Sequence, residues 1–277
     1  MTPLSLNDLP RHSEWAAYLL DASSDPPTDP EMYTKLETYD DIYAYLLKRY
    51  HENPIDYETF IEETRSLGRN DPDVISIDEA LYFASSAELL AQERSVIRDA
   101  LRPALGGDET VVDLGCGWGA TLGVIADTFP NRVIGGEYSE HGVELARELS
   151  AGTDRISVEQ FDFHGDWDLL DGNNNIIFTR DSLTAIASVE TVIDRLASCV
   201  GDGEIIGGVH LEPVGPHPDT MLGLLRRQYA KVRNYNTDVL STIGKHQNLS
   251  VTTVEYDSIG ANPLHPLTTV RWQAKQE

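Results

Sequence analysis

The segment Val111-Val112-Asp113-Leu114-Gly115-Cys116-Gly117-Trp118-Gly119 constrains the chain more than any other. A short apolar run, 111–114, ends at three glycines in alternate positions, and an apolar helical pattern, 121–129, starts directly behind them. Glycines at such a turn adopt backbone angles closed to other residues and let a ligand approach the main chain. Unpaired N–H groups at the helix start face the same ligand. The bland alternative is a tight turn that holds nothing.

The pattern around the loop favours the first reading. Strands are predicted at 132–138, 156–162, 176–179 and 204–210, with helices at 142–150 and 190–199. Strands alternating with helices imply a mostly parallel sheet covered on both faces. Two further helices, 221–233 and 238–247, precede two closing strands, 249–256 and 267–274. The first hundred residues read as helices only. There is an amphipathic stretch at 15–20, a breaker over Ser23-Ser24-Asp25-Pro26-Pro27-Thr28-Asp29-Pro30, and helical patterns at 31–68 and 77–101. The expected fold is α/β: a doubly wound, mostly parallel, seven-stranded (Rossmann-like) sheet. Its last strand is antiparallel, and an N-terminal helical cap of residues 1–100 covers a ligand-binding domain of residues 101–277.

The balance of 46 acids against 21 bases, −25 in all, decides little about fold but much about partners. Nucleic-acid binding needs concentrated Lys and Arg, so such a partner is disfavoured. The acids are spread along the chain, as on a solvated surface suited to the high-salt cytoplasm of a halophile, where screening is short-ranged. Cys116 and Cys199 form no metal or disulfide pattern, no apolar stretch is long enough to cross a bilayer, and no secretion signal opens the chain. A cytoplasmic location without membrane attachment is expected.

Two classes of cofactor compete for the loop. Gly115-Cys116-Gly117-Trp118-Gly119-Ala120 also fits the G-x-G-x-x-A pattern of nicotinamide dinucleotide sites, and Glu137 stands 22 residues beyond the first glycine, at ribose distance. Against a dinucleotide, Asp113 puts a carboxylate where pyrophosphate would lie, yet it would attract an amino-acid ammonium group. A third acid, Asp162, ends the third strand, suited to an adenine amino group.

Asp113 to Gly119 resembles the first motif, D-x-G-x-G-x-G, of the class I S-adenosylmethionine-dependent methyltransferases. Gly135-Gly136-Glu137-Tyr138-Ser139 is similar to that superfamily's second motif, and Phe161-Asp162-Phe163 to its adenine-recognising pair. Phe178-Thr179-Arg180-Asp181-Ser182-Leu183 resembles the S-R-D-x-L run of small-molecule members. Gly201-Asp202-Gly203-Glu204-Ile205-Ile206 resembles the L-x-P-G-G turn without its proline. The resemblance implies S-adenosyl-L-methionine as cofactor. It assigns Asp113, Gly115, Cys116, Gly117 and Gly119 to the loop around the methionine end, Glu137 to the ribose, and Tyr138 to stacking. Asp162 and the Phe163 N–H would meet the adenine, and Thr179 and Arg180 would pass behind the methionine.

The implied activity is N- or O-methylation of a small molecule or modest peptide. The alternatives are an RNA or protein methyltransferase, or a non-catalytic cofactor-binding module. Methyl transfer depends chiefly on alignment, so a general base is optional. Candidate catalytic residues are His210, Asp181 and Tyr43, with His217 a weaker one. No metal site is expected. Tyr39-Asp40-Asp41-Ile42-Tyr43 resembles the Y-D-x-x-Y element that closes some small-molecule N-methyltransferases, and its two tyrosines share a helical face. Trp118 is either a lid or packing. Arg226, Arg227, Lys231 and Arg233 form a basic cluster that could attract a substrate anion, or a solvated helix face.

Overall fold

The computed structural model describes residues 1–277 apart from 22, 24, 171, 276 and 277, so Ser24 of the breaker segment lies outside the described residues. The chain opens with strand β1 (Thr2–Leu4) and helix α1 (Glu14–Leu20), capped by the Ser13 side chain. Helix α2 (Leu36–Glu52) buries Leu46 and Leu47 and ends before Pro54. Helix α3 (Tyr57–Arg65) starts where the Asp56 side chain accepts the Thr59 amide at 3.0 Å.

The helices-only expectation for the first hundred residues is corrected here. β2 (Asp73–Ile77) and β3 (Ala80–Ala84) form an antiparallel hairpin, and β1 joins β3 to complete a three-stranded sheet. The hairpin turn is Asp78-Glu79, both at positive φ (49° and 64°). Such a two-residue turn ordinarily carries Asn-Gly or Asp-Gly, so the sequence gives no sign of it. A distant residue holds it instead. The Asp257 carbonyl accepts the Asp78 amide at 2.9 Å, and the Asp257 carboxylate accepts the Glu79 amide at 2.8 Å. Helix α4 (Ser86–Leu101) begins only after the hairpin, at a capping box formed by Ser85 and Glu88.

The large sheet comprises β4 (Thr110–Leu114), β5 (Arg132–Glu137), β6 (Ile156–Gln160), β7 (Asn175–Arg180), β8 (Ile205–Glu212), β9 (Leu249–Ile259) and β10 (Leu267–Ala274). Their order is β6-β5-β4-β7-β8-β10-β9. β4 to β8 are parallel, and the last strand, β10, runs antiparallel to both neighbours. Helices α5 (Ala120–Thr128), α6 (Glu140–Ser150), α7 (Val189–Gly201), α8 (Met221–Val232) and α9 (Val239–Lys245) complete the chain. The expected doubly wound, seven-stranded sheet is what forms.

Alternation along the strands divides the core. Val111, Val133 and Ile176 pack with α4 and α5, while Val112, Ile134 and Ile177 pack with α7 and α9. Burying each such side chain stabilises the fold by about 1.5–3 kcal/mol. α4 therefore belongs to the core of the large sheet. The small sheet packs through Val74 and Leu81 against Leu222 and Leu225 of α8. β5 and β7 lie on opposite sides of β4, so the strand order reverses there and a crevice opens at the carboxyl ends of the strands.

Candidate functional site

The glycine loop lies at that crevice. Gly115, Gly117 and Gly119 all have positive φ (77°, 58° and 91°), which non-glycine residues adopt only with strain. The amides of Gly115 and Cys116 donate to the Gly136 carbonyl at 2.8 and 3.1 Å, folding the loop over β5. A Cβ on Gly115 would stand 2.5 Å from Ser182 Cβ, and one on Gly117 2.7 Å from the Tyr43 hydroxyl. The loop is a closely fitted cradle.

Two acids support it from below. Glu137 accepts the Gly117 amide on one oxygen and the Ser139 amide on the other, both at 2.8 Å; burial nonetheless raises its pKa. Asp113 is 1% exposed; one of its carboxylate oxygens accepts the Thr121 hydroxyl and the other has no partner. Burial pushes its pKa up to about 7, against the opposing pull of that hydrogen bond.

A cavity of 140 Å³ opens beside the loop. Of the predicted residues, Tyr43, Gly115, Glu137, Tyr138, Phe163, Arg180 and Asp181 line it, together with Tyr39. The Tyr39 and Tyr43 rings neighbour each other along α2, centroids 6.3 Å apart and tilted by 38°, and Asp40 accepts the Ser139 hydroxyl at 2.6 Å. Asp181, at φ 53°, accepts from Thr184 at 3.0 Å and pairs with His265 at 3.0 Å; His265 lowers its pKa against the effect of burial. Asp162 is outside the lining and exposed, with one oxygen on the His164 amide at 2.8 Å. Cys116 is buried with its sulfur against Gly135, and burial raises its pKa well above the ordinary value.

Three further predicted residues, His210, Thr179 and His217, lie outside this lining. His210 is fully buried in β8; its Nε2 accepts the Trp272 indole N–H at 2.8 Å, and its Nδ1 bonds the Thr179 hydroxyl at 2.9 Å. Both ring nitrogens are engaged, and burial pushes the pKa down to about 3. It is a core histidine and not a proton acceptor for a ligand. Thr179, 1% exposed, is held inside the sheet by the same bond. His217 is likewise outside the lining, its pKa pushed down to about 4, chiefly by burial.

The basic cluster of α8 is also corrected. Arg226 forms a buried pair with Asp257 at 2.7 Å, and Arg227 pairs with Asp219 at 3.0 Å. Arg233 is enclosed by Trp15, Tyr33, Tyr229 and Tyr235, each ring centroid 5.0–5.7 Å from the guanidinium carbon. They serve three different contacts. Trp118 packs edge-on against Phe60 with centroids 5.3 Å apart.

Sequence reasoning missed a second, larger cavity of 450 Å³ between α2, α3, α4 and the first turn of α5. Arg65, Glu93 and Arg94 line it, and Arg180 lines both cavities. A signal was present: Glu93 falls in the apolar stripe of α4, between Leu89 and Ile97, where a carboxylate needs a buried partner.

Residues 111–203 match the family model described as a methyltransferase domain. A geranyl diphosphate methyltransferase, solved with GPP and sinefungin, superposes with a TM-score of 0.53 at 13% identity, over 87% of this chain and 100% of that one. The geranyl diphosphate C-methyltransferase of Streptomyces coelicolor A3(2), solved with Mg2+, geranyl diphosphate and S-adenosyl-L-homocysteine, gives 0.52 at 13% identity over 81% and 100%. The fold is that of an S-adenosylmethionine-dependent methyltransferase. A phosphoethanolamine N-methyltransferase of Haemonchus contortus matches with a TM-score of 0.48 at 16% identity over 67% of this chain; the match spans about half, 52%, of that protein's length. No curated protein matches by sequence. Among the described residues no helix is long and apolar enough to cross a membrane.

Proposed function

We propose that the chain binds S-adenosylmethionine at the glycine loop and transfers its methyl group to a small molecule or modest peptide. The observation that carries this is the unpartnered, buried oxygen of Asp113 beneath the loop. A buried acceptor without a donor is costly, and the ammonium of an amino-acid moiety would satisfy it. A pyrophosphate would not.

The other residues fit the same ligand. Glu137, its oxygens fixed by two loop amides, keeps lone pairs for a ribose diol. Tyr138, half exposed at the cavity rim, offers a ring face to the adenine, and Phe163 lines the wall beside it. Asp162 is the proposed acceptor for the adenine amino group. When bound, the cofactor supplies an electrophilic methyl carbon on a sulfonium. Tyr39 and Tyr43 exclude water from the site and orient the acceptor. Asp181, held by His265 and Thr184, is placed to take a proton from it.

Calorimetry with S-adenosylmethionine, S-adenosylhomocysteine and NAD tests the reading. Both sulfur nucleosides should bind and NAD should not. Asp113→Ala or Glu137→Ala should weaken binding by about ten-fold or more. Binding of NAD alone would overturn the assignment, and unchanged affinity in both variants would move the site elsewhere.

A further inference from the structure

We propose that the cavity between α2, α3, α4 and α5 holds an oxyanion of the methyl acceptor, a carboxylate or phosphate, on Arg65, Arg94 and Arg180. The proposal rests on the methyltransferase reading for the identity of the ligand, but the site itself stands on charge and geometry.

The charges around Glu93 do not balance. A single oxygen of this carboxylate, whose side chain is 7% exposed, accepts from both Arg65 and Arg180. Arg94 alongside pairs with Glu58, whose own side chain is 46% exposed. Three guanidinium groups thus share two carboxylates, and only one of those carboxylates is buried. Among the described residues no second carboxylate pairs with Arg65 or Arg180 at salt-bridge distance; Asp113 and Asp181 attract Arg180 only from farther off.

The donors are unbalanced too. The Nε atoms of Arg65 and Arg94 are shielded from solvent and have no acceptor. Burial lowers the Arg65 pKa to about 10, against the pull of Glu93, and Arg180 and Arg69 add repulsion. Arg65, Arg94 and Arg180 are each about a quarter exposed (23%, 28% and 25%) and face the cavity, the first two with unmatched donors, and the planar guanidinium fork suits the paired oxygens of a carboxylate or phosphate.

The rest of the cavity describes the ligand's body. Its walls include Ile42, Leu46, Ile61, Leu90, Ile97 and Trp118. A volume of 450 Å³ admits an apolar group beyond the oxyanion. Because Arg180 lines both cavities, a molecule here adjoins the one beside the glycine loop. That is the arrangement an acceptor requires.

The test is calorimetric titration of the full chain with inorganic phosphate and with acetate, alone and saturated with S-adenosylhomocysteine. At least one oxyanion should bind in both states. Arg94→Gln and Arg65→Gln should weaken it about ten-fold. Glu93→Gln should tighten it several-fold, because it frees two guanidinium groups from their competing carboxylate. A packing defect would not strengthen binding. Competition between the homocysteine nucleoside and both oxyanions would overturn the proposal, by assigning the arginines to the cofactor's own carboxylate. Absence of oxyanion binding, or weaker binding in Glu93→Gln, would also overturn it. If the nucleoside does not bind while an oxyanion does, the oxyanion site stands and the methyltransferase reading falls.

Discussion

The carboxylate of Asp257 lies 2.7 Å from the guanidinium of Arg226, with neither side chain more than 2% exposed. The same carboxylate accepts the Ser76 hydroxyl and the Glu79 amide, so one side chain joins the small sheet, the large sheet and α8. Asp257→Ala leaves a buried arginine uncompensated and should cost about 3–5 kcal/mol. Urea unfolding would show it as a lower midpoint. An unchanged midpoint would mean that the junction contributes little.

Asp113 predicts two opposite pH dependences. In the folded chain its carboxyl keeps a proton up to about 7, whereas an unfolded aspartate loses it near 4. The unfolded state therefore binds fewer protons between those values, and its contribution makes stability fall as pH rises through them. Asp113→Asn should abolish that part of the decline. Binding of S-adenosylhomocysteine should instead strengthen through neutrality, as the ionised carboxylate meets the ligand ammonium, and the variant should lose this slope. Equal slopes for wild type and variant would remove Asp113 from the site.

Gly117 and Tyr43 should be energetically coupled. Gly117→Ala puts a Cβ at a φ of 58° and 2.7 Å from the Tyr43 hydroxyl. The backbone alone costs about 1–2 kcal/mol. Tyr43→Phe removes the obstructing oxygen, so the double variant should recover part of the lost stability. A double-mutant cycle on thermal unfolding reads the coupling, and strict additivity would deny the contact.

His210→Leu should separate stability from ligand binding. It leaves the Trp272 N–H without its acceptor inside the sheet, at a cost of about 1–3 kcal/mol. Affinity for S-adenosylhomocysteine should stay within about twofold, as expected of a side chain outside the site. A large loss of affinity in a folded variant would restore His210 to the binding machinery.

These residues show what the sequence could convey. The parallel strands were legible because apolar runs, glycines and helical patterns alternate locally, each within a few residues. The Asp78-Glu79 turn was not, since its left-handed backbone depends on Asp257, far along the chain. The burial of His210 is hidden for a related reason. A strand covered on both faces buries nearly every position, in β8 all but Ile206, so an imidazole near its end resembles one at a mouth. Gly115, Glu137, Tyr138, Phe163 and Arg180 were legible as neighbours, because their motifs end successive strands and so line one cavity. The arginines around Glu93 did not announce themselves, because each sits singly on a different element and only the packing of α3, α4 and β7 unites them.

Tyr57 reaches from α3 to the turn that starts α5, donating to the Gly119 carbonyl and accepting the Gly123 amide at 2.8 Å. Its ring occupies the space a Cβ on Gly123 would need. The consequence concerns portability. The stretch that carries the family signature, 111–203, does not contain the brace that sets its own loop. Grafting a foreign N-terminal segment onto this stretch would also replace the strut under the glycine turn. A chimaera has to carry Tyr57 across with the graft, or rebuild it.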